Sequence, residues 1–280
     1  LQCLFLSHKT TEKLVSSRDI DFVCFTGSVA AGQQIEVAAA GTFTGLGLEL
    51  GGKDPAYVRA DANFDYSVTE LVDGAFFNSG QSCCGIERIY VHDSLYNQFV
   101  EAYIEKVNTL TLSNPIDPST TLGPVVKTSA ADWVRQQIKG AVTQGAKPCV
   151  DTTKFHHAAE GTPYIAPEVL IDVDHSMSVM TEESFGPVVG IMSVGNDEQA
   201  IHLMNDSDLG LTASLWTQDQ SAGEHLGNRL QTGTVFMNRC DYLDPALTWT
   251  GVKNTGRGAT LSELGYQQLT QPKSFHLKNV

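Results

Sequence analysis

The sequence predicts an α/β protein built on a mostly parallel β-sheet. Short β-branched or apolar runs alternate along the chain with longer helical patterns, as they do in βαβ units. The 280 residues are 41% hydrophobic and 18% charged, which is enough apolar material for one large or two moderate domains with a buried core. No internal repeat or low-complexity linker interrupts this alternation.

The first predicted elements are a strand over residues 21–27 and an Ala-rich helix over residues 29–40. Ser28 suits the N-cap of that helix, and Gly41 suits the position after its end. A strand–Gly–helix junction directs free N–H groups at whatever lies above it, which favours a phosphate group. An ordinary capped turn explains the same residues and is favoured when they are taken alone.

A second strand-like run leads to residues 48–50 and is stopped by Gly51 and Gly52. Glu49 stands between two leucines, so partial removal from water would suit it to act as a general base. The alternative is a solvated glutamate at the end of a strand. Taken alone, the pattern favours that alternative.

The clearest predicted helix has five apolar residues at the spacing of one buried face: Val68, Leu71, Val72, Ala75 and Phe76. It ends at residues 78–80, and a strand follows at residues 88–91. The polar loop between them contains Cys83 and Cys84. A thiol in such a loop is accessible and could be activated as a thiolate, although a buried and inert cysteine is the commoner case.

The rest of the chain continues the alternation. Strands are predicted at residues 188–194, 212–216 and 233–238, and helices at residues 130–142, 197–204 and 222–230. The tail at residues 274–277 alternates apolar and polar residues, which predicts a closing edge strand.

Composition excludes several classes of function. A formal net charge of −14 disfavours nucleic-acid and anionic membrane partners, and no apolar run approaches the roughly 18 residues of a membrane span. Six cysteines are too few for a disulfide scaffold, and none shows metal-ligand spacing, so we expect no metal site. A reducing, cytoplasmic compartment is the expectation.

Several motifs, taken in chain order, resemble the NAD(P)-dependent aldehyde dehydrogenase superfamily. The first three are Phe25-Thr26-Gly27-Ser28, Glu49-Leu50-Gly51-Gly52-Lys53 and Gly80-Gln81-Ser82-Cys83. The step from Glu49 to Cys83 (83 − 49 = 34 residues) is similar to the family's spacing. Three later boxes, EESFGPV at residues 182–188, NDSDLGLT at 205–212 and GTVFMN at 233–238, are also similar to it.

The resemblance implies an aldehyde dehydrogenase-like fold and a covalent mechanism. Cys83 would attack the aldehyde, NAD or NADP would take the hydride, and Glu49 would activate water to hydrolyse the thioester. The backbone N–H of Cys83 would help to stabilise the oxyanion. The residues implied to bind the cofactor are Thr26, Gly27, Ser28, Leu50, Gly51, Glu183 and Phe185.

The substrate implied is a small aldehyde. The residues expected to line its site are Ser82, Cys84, Arg239, Tyr242 and Trp249. Arg239 could hold an acidic aldehyde, but we favour its pairing with the neighbouring Asp241 and Asp244. The family's usual Pro-Phe-Gly-Gly is replaced by Thr-Trp-Thr-Gly at residues 248–251, which leaves the substrate open.

The domain organisation implied is a catalytic domain with the last part of a Rossmann-type cofactor domain. Residues 1–51 would end the cofactor domain, residues 52–255 would form the catalytic domain, and residues 256–280 would carry an oligomerisation strand. We expect a homodimer or homotetramer. The family's chains are usually much longer, so this chain would be incomplete if it stood alone.

Two other function classes stay open. A cofactor-independent cysteine acyl hydrolase would need a histidine base, and none of the eight histidines has a recognisable context. A non-catalytic or truncated family member would act as a binding or structural protein. The presence of Cys83, Glu49, Glu183 and Phe185 speaks against that reading.

Overall fold

A computed structural model describes residues 1–280, which form two compact units. The first unit comprises Leu1–Leu50, Leu243–Gly251 and Thr255–Val280, and the second comprises Gly51–Tyr242 and Val252–Asn254. Helices and strands are numbered below in chain order. The assignment of cofactor binding and catalysis to parts of the chain stays a prediction.

The first unit contains three helices and a three-stranded sheet. Its elements are α1 (His8–Val15), β1 (Phe22–Thr26), α2 (Val29–Ala39), β2 (Gly45–Glu49), β12 (Gly256–Arg257) and α9 (Ser262–Gln268). The sheet order is β1-β2-β12, with β1 parallel and β12 antiparallel to β2. Ser28 caps α2 as predicted, since its Oγ accepts the Ala31 N–H at 3.3 Å. Gly41 follows the helix with a φ of +80°, also as predicted.

The second unit contains a seven-stranded sheet and a two-stranded ribbon. Its strands are β3 (Asp54–Val58), β4 (Ile86–His92), β5 (Lys147–Pro148), β6 (Glu168–Ile171), β7 (Val188–Val194), β8 (Leu209–Gly210), β9 (Thr212–Trp216), β10 (Thr234–Met237) and β11 (Val252–Lys253). The order β10-β9-β3-β4-β7-β6-β5 is parallel except for the β5–β6 pair, and β11 pairs with β8. The predicted α/β class with a mostly parallel sheet is therefore confirmed.

Six helices cover this sheet: α3 (Phe64–Phe76), α4 (Asp93–Val107), α5 (Thr128–Thr143), α6 (Ser178–Thr181), α7 (Asp197–Asn205) and α8 (Gln220–Gly227). Asn63 caps α3, because its Oδ1 accepts the Tyr66 N–H at 3.3 Å. The predicted apolar face of α3 is buried and packs with α4 in the largest core cluster, which also contains Trp216. The parallel sheet and this core fix the two ends of the loop that carries Cys83.

Two elements of the second unit lie in segments for which the sequence pattern gave no prediction. Strand β3 is central in the sheet and buried at all five positions, yet it contains Pro55, which has no N–H to donate to a neighbouring strand. A register shift between Asp54 and Pro55 accommodates the proline. Helix α4, with 15 residues, follows β4 without any turn signal between them.

The prediction of a strand at residues 274–277 is wrong for this chain. Residues 271–280 lie in neither helix nor strand and are exposed. An extended segment gains strand hydrogen bonds only when another strand lies beside it, and none is paired with the tail here.

None of the nine helices is both long enough and apolar enough to cross a membrane.

Candidate active site

A strained turn presents Cys83. Helix α3 ends at Phe76, and the next 3₁₀ turn contains Asn78, Ser79 and Gly80 with φ angles of +50°, +57° and +72°. Ser79 is held in this conformation by its Oγ, which donates to the Gly123 carbonyl at 2.9 Å. A Cβ on Gly80 would lie 2.3 Å from the Gly186 carbonyl oxygen. The turn therefore needs glycine at residue 80, both for its φ angle and for the close approach of another backbone segment.

Gly51 and Gly52 allow three segments to converge beside the cysteine. A Cβ on Gly52 would lie 2.1 Å from the Cys83 carbonyl oxygen, and a Cβ on Gly51 would lie 2.3 Å from Glu183 Oε2. Any other residue at Gly52 would push the Cys83 backbone away, and any other residue at Gly51 would displace the Glu183 carboxylate. The second unit thus brings the predicted residues Gly51, Cys83 and Glu183 to one place.

Cys83 is half-buried and Cys84 is buried. A hydrogen bond from Cys84 lowers the pKa of the Cys83 thiol, against the opposing effects of burial and of the negative charges on Glu183 and Asp241. The same hydrogen bond, together with burial and Asp241, raises the pKa of Cys84. Cys83 is therefore the more acidic thiol of the pair, and the thiolate is the nucleophilic form of cysteine.

Asp241 is a site residue whose contacts the sequence did not reveal. Its Oδ1 accepts hydrogen bonds from Ser82 Oγ at 2.6 Å and from Cys84 Sγ at 3.0 Å, so it touches both neighbours of Cys83. Asp241 has a φ of +44°, an uncommon backbone conformation outside glycine. Its position beside Arg239 in the sequence suggested an ion pair instead.

The predicted pairing of Arg239 with Asp241 and Asp244 is wrong. The Arg239 guanidinium carbon lies 3.3 Å from the centroid of the Tyr242 ring, a cation–π contact. The ion pairs of the described chain include neither aspartate with Arg239. The hydrogen bonds that Asp241 accepts from Ser82 and Cys84 account for this, because they hold its carboxylate near the cysteine loop.

Glu183 faces the glycine pair, and Phe185 follows it in an exposed position. Glu183 Oε1 accepts the Gly52 N–H at 3.0 Å, and the Trp133 indole donates to the Glu183 carbonyl at 3.1 Å. Burial, and then the negative charge of Glu87, raises the pKa of Glu183 to about 7. Phe185 is 40% exposed with a φ of +49°, so its ring is available to a ligand.

The first unit brings together another group of predicted residues. Thr26 and Glu49 pair across the β1–β2 ladder, and the Gly27 N–H donates to the Glu49 carbonyl at 3.1 Å. The Glu49 side chain is half-buried, and its Oε1 accepts from Thr260 Oγ1 at 2.7 Å. Leu50 is buried against Gly32, where a Cβ would lie 2.5 Å from the leucine side chain.

A cavity of about 350 Å³ lies within the first unit, with Thr26, Glu49, Trp249 and Thr260 in its wall. Trp249 is 5% exposed, and its backbone N–H and carbonyl both bond to Thr260 at 2.8 Å. The cavity therefore contains both the predicted general base and a residue predicted to line the substrate site.

Comparisons with known proteins agree with this fold. A family model described as "Aldehyde dehydrogenase family" matches residues 2–275. The chain is 34% identical over 266 residues to the mitochondrial aldehyde dehydrogenase of Mesocricetus auratus, covering 95% of this chain and 53% of that protein. It is 32% identical to a succinate-semialdehyde dehydrogenase (NADP+) 1 of Mycobacterium ulcerans (strain Agy99), covering 98% and 59%.

A solved structure gives the same result. Betaine aldehyde dehydrogenase from Staphylococcus aureus, in complex with NAD+, matches with a TM-score of 0.86 at 31% identity, covering 92% of this chain and 51% of that one. This chain belongs to the aldehyde dehydrogenase family. It spans about half the length of the curated relatives that it matches.

Proposed function

We propose that this chain carries the catalytic cysteine of an enzyme that oxidises an aldehyde to the carboxylic acid with NAD or NADP. The observation that carries the proposal is the convergence of Cys83, a thiol whose pKa is lowered, with the Gly51–Gly52 pair and the Glu183 carboxylate. Membership of the aldehyde dehydrogenase family supports it.

In the proposed reaction, the Cys83 thiolate adds to the aldehyde carbon and forms a thiohemiacetal. The Cys83 backbone N–H stabilises the negative oxygen that develops. The chemistry that a bound NAD(P) would supply is acceptance of the hydride, by which the thiohemiacetal on Cys83 would become a thioester. Glu49 takes a proton from water as the water attacks the thioester carbon, and the Cys83 thiolate leaves with release of the acid.

The residues present fit a dinucleotide cofactor. Gly27 and Ser28 are exposed at the start of α2, where the first-turn N–H groups have no partner within the helix and suit a phosphate. Glu183 has a carboxylate that suits the hydroxyls of a ribose, and the exposed ring of Phe185 suits a nicotinamide face. Thr26, Leu50 and Gly51 complete the proposed set. Relatives are named for NADP+ and solved with NAD+, so either cofactor is compatible.

The proposed substrate is a small aldehyde that enters beside Ser82 and Cys84. Arg239, Tyr242 and Trp249 remain predicted substrate residues. The relatives carry the names of different aldehydes, among them succinate semialdehyde and betaine aldehyde. A homodimer or homotetramer is proposed from the family resemblance, and a cytoplasmic location is proposed from the cysteine content.

The test is aldehyde-dependent reduction of NAD+ and NADP+, followed at 340 nm over a panel of aldehydes, for wild type and Cys83→Ser. We expect turnover that falls at least about 10³-fold in the variant, because a serine hydroxyl is a far weaker nucleophile than a thiolate. Cys240→Ser is the matched control, since burial raises the pKa of Cys240 and should keep it unreactive.

Acylation of Cys83 by p-nitrophenyl acetate, read by peptide mass, tests the nucleophile without any cofactor. Turnover retained in the Cys83→Ser variant would contradict the proposal. An absence of turnover in a folded, cofactor-binding wild-type protein, tested with any segment that precedes Leu1, would also contradict it and would favour a binding or structural family member.

A further inference from the structure

A buried carboxylate that the proposed mechanism does not use lies four residues after the nucleophile. Glu87 is on β4 and is 4% exposed. Its oxygens accept the Ser184 N–H at 3.1 and 2.9 Å and the Phe185 N–H at 2.9 Å. These two amides belong to the segment that carries Glu183 and Phe185, and they are 97 and 98 residues away in the sequence.

Glu87 also has a buried cationic partner. The Lys53 ammonium group is fully buried, forms an ion pair with Glu87 Oε2 and donates to Ser184 Oγ at 3.2 Å. A buried charge is stable only when it is paired and hydrogen-bonded. The Glu183 carboxylate, by contrast, accepts the Gly52 N–H and forms no ion pair with Lys53.

We propose that Glu87 is a positioning residue for the cofactor site. It anchors the backbone between Glu183 and Phe185, and it neutralises Lys53 so that the lysine does not pair with Glu183. The proposal rests on the proposed function only in naming Glu183 and Phe185 as cofactor residues.

The backbone conformation shows why an anchor is needed. Phe185 has a φ of +49°, a backbone conformation that is unfavourable for a residue other than glycine. A conformation of this kind persists only where surrounding contacts hold it. The carboxylate of Glu87 supplies such a contact at the Phe185 amide and two more at the Ser184 amide.

The charges lead to a second consequence. The negative charge on Glu87 contributes, after burial, to the raised pKa of Glu183. Lys53, whose charge lowers the pKa of Glu183, would then no longer be neutralised by Glu87. Both changes favour the ionised carboxylate, so the pKa of Glu183 should fall when Glu87 is neutralised.

The test compares Glu87→Gln with a matched control, Glu168→Gln. Glu168 is also 4% exposed, and its carboxylate also makes three hydrogen bonds to backbone N–H groups, those of Cys149, Val150 and Val169, none of which belongs to residues 183–185. Both variants lose a buried carboxylate charge. Only the Glu87 variant should affect the segment that carries Glu183.

Two readouts are made on the full chain without cofactor or aldehyde. The first is amide hydrogen exchange at Ser184 and Phe185, which should be at least about tenfold faster in Glu87→Gln and unchanged in Glu168→Gln. The second is the titration midpoint of Glu183 from ¹³C side-chain resonances, assigned with Glu183→Gln. It should fall from about 7 to about 6 in Glu87→Gln only.

Unchanged exchange, or an unchanged Glu183 midpoint, in folded Glu87→Gln would overturn the proposal. If that variant does not fold, the Lys53→Met/Glu87→Gln pair removes both buried charges together and is read by the same exchange experiment. Faster exchange at Ser184 and Phe185 supports the anchor, and wild-type exchange overturns it. Since neither readout needs turnover, a chain that lacks dehydrogenase activity would still decide the role of Glu87.

Discussion

The carboxylates of Glu183 and Asp241 both oppose ionisation of Cys83, yet the pKa of this thiol is lowered. The hydrogen bond from Cys84 outweighs them. Asp241 also accepts a hydrogen bond from Cys84 Sγ, so the aspartate competes with Cys83 for the same thiol proton. The pKa of Cys83 therefore depends on the balance between the Cys84 hydrogen bond and the two nearby carboxylates.

Asp241→Asn should make Cys83 ionise at lower pH. The substitution removes one negative charge near the sulfur and weakens the competition for the Cys84 proton, so the midpoint of Cys83 alkylation by iodoacetamide should fall by about half a pH unit. Alkylation is followed from pH 5 to 10 on the Cys83 peptide by mass spectrometry. Asp244→Asn, in the same loop, is the control, and a midpoint that rises or stays would contradict this expectation.

The free energy of unfolding should depend on pH through the ionisation of Glu183. Its pKa of about 7 in the folded protein lies above its ordinary value of 4.5. Between these values the folded state holds a proton that the unfolded chain has lost, so this group's contribution to the free energy of unfolding declines as pH rises. Glu183→Gln stays neutral and still accepts the Gly52 N–H.

The unfolding free energy of Glu183→Gln minus that of wild type should thus be about 1–2 kcal/mol larger at pH 8 than at pH 5. Urea denaturation at the two pH values measures it. The control is Glu182→Gln, a substitution at the exposed residue next to Glu183. An equal or smaller difference for Glu183→Gln at pH 8 would refute the argument.

Sequence motifs identified Cys83 and Glu183 as candidates because each stands in a short box with a recognisable order. They did not reveal the contacts of Asp241 or of Glu87. Asp241 reaches Ser82 across 159 residues, and Glu87 reaches Phe185 across 98. Such contacts arise from the packing of distant segments, and nothing in the local pattern around either residue encodes them.

At the scale of elements, the 3₁₀ turn after α3 concentrates backbone strain directly before the nucleophile. Asn78, Ser79 and Gly80 all have positive φ, and the turn is fixed at both sides by α3 and β4. The sequence predicted the end of the helix at these residues but could not predict three left-handed residues in succession. That conformation depends on the Gly123 and Gly186 carbonyls, which lie far along the chain.

Gly80→Ala should be costly, and Gly161→Ala is its matched control. Both glycines belong to the second unit, with φ angles of +72° and +70°, but a Cβ meets the Gly186 carbonyl only at Gly80. We expect Gly161→Ala to lower the free energy of unfolding by about 1–2 kcal/mol through φ alone, and Gly80→Ala by at least about 1 kcal/mol more. Urea denaturation measures both losses of unfolding free energy. Equal losses would show that the close approach of the Gly186 carbonyl to Gly80 is unimportant.

Strand β3 is an element that the local sequence pattern does not predict. Its five residues are fully enclosed by β4 and β9, but Asp54 and Pro55 at its start are residues that disfavour strands. Asp54 is kept in the interior by two hydrogen bonds from Thr212, at 3.1 and 2.5 Å. Tertiary contacts, not local preference, make this segment a strand.

At the scale of the whole molecule, the alternation of strands and helices was enough to predict a parallel α/β sheet. It did not predict the strand order, in which β3 lies between β9 and β4, although more than 150 residues separate β3 from β9. The order of motifs along the chain predicted the family, and the family match covers residues 2–275.

The three tryptophans are distributed so that tryptophan fluorescence can report the unfolding of each unit separately. Trp249 belongs to the first unit, whereas Trp133 and Trp216 belong to the second. Trp216 is fully enclosed and Trp133 is 38% exposed, so their emission maxima should differ. A chain in which only Trp249 is retained, with phenylalanine at the other two positions, would emit from the first unit alone. Denaturation of this chain, followed by its tryptophan fluorescence, would then report the unfolding of the first unit, which contains the cavity beside Glu49, without a signal from the seven-stranded sheet.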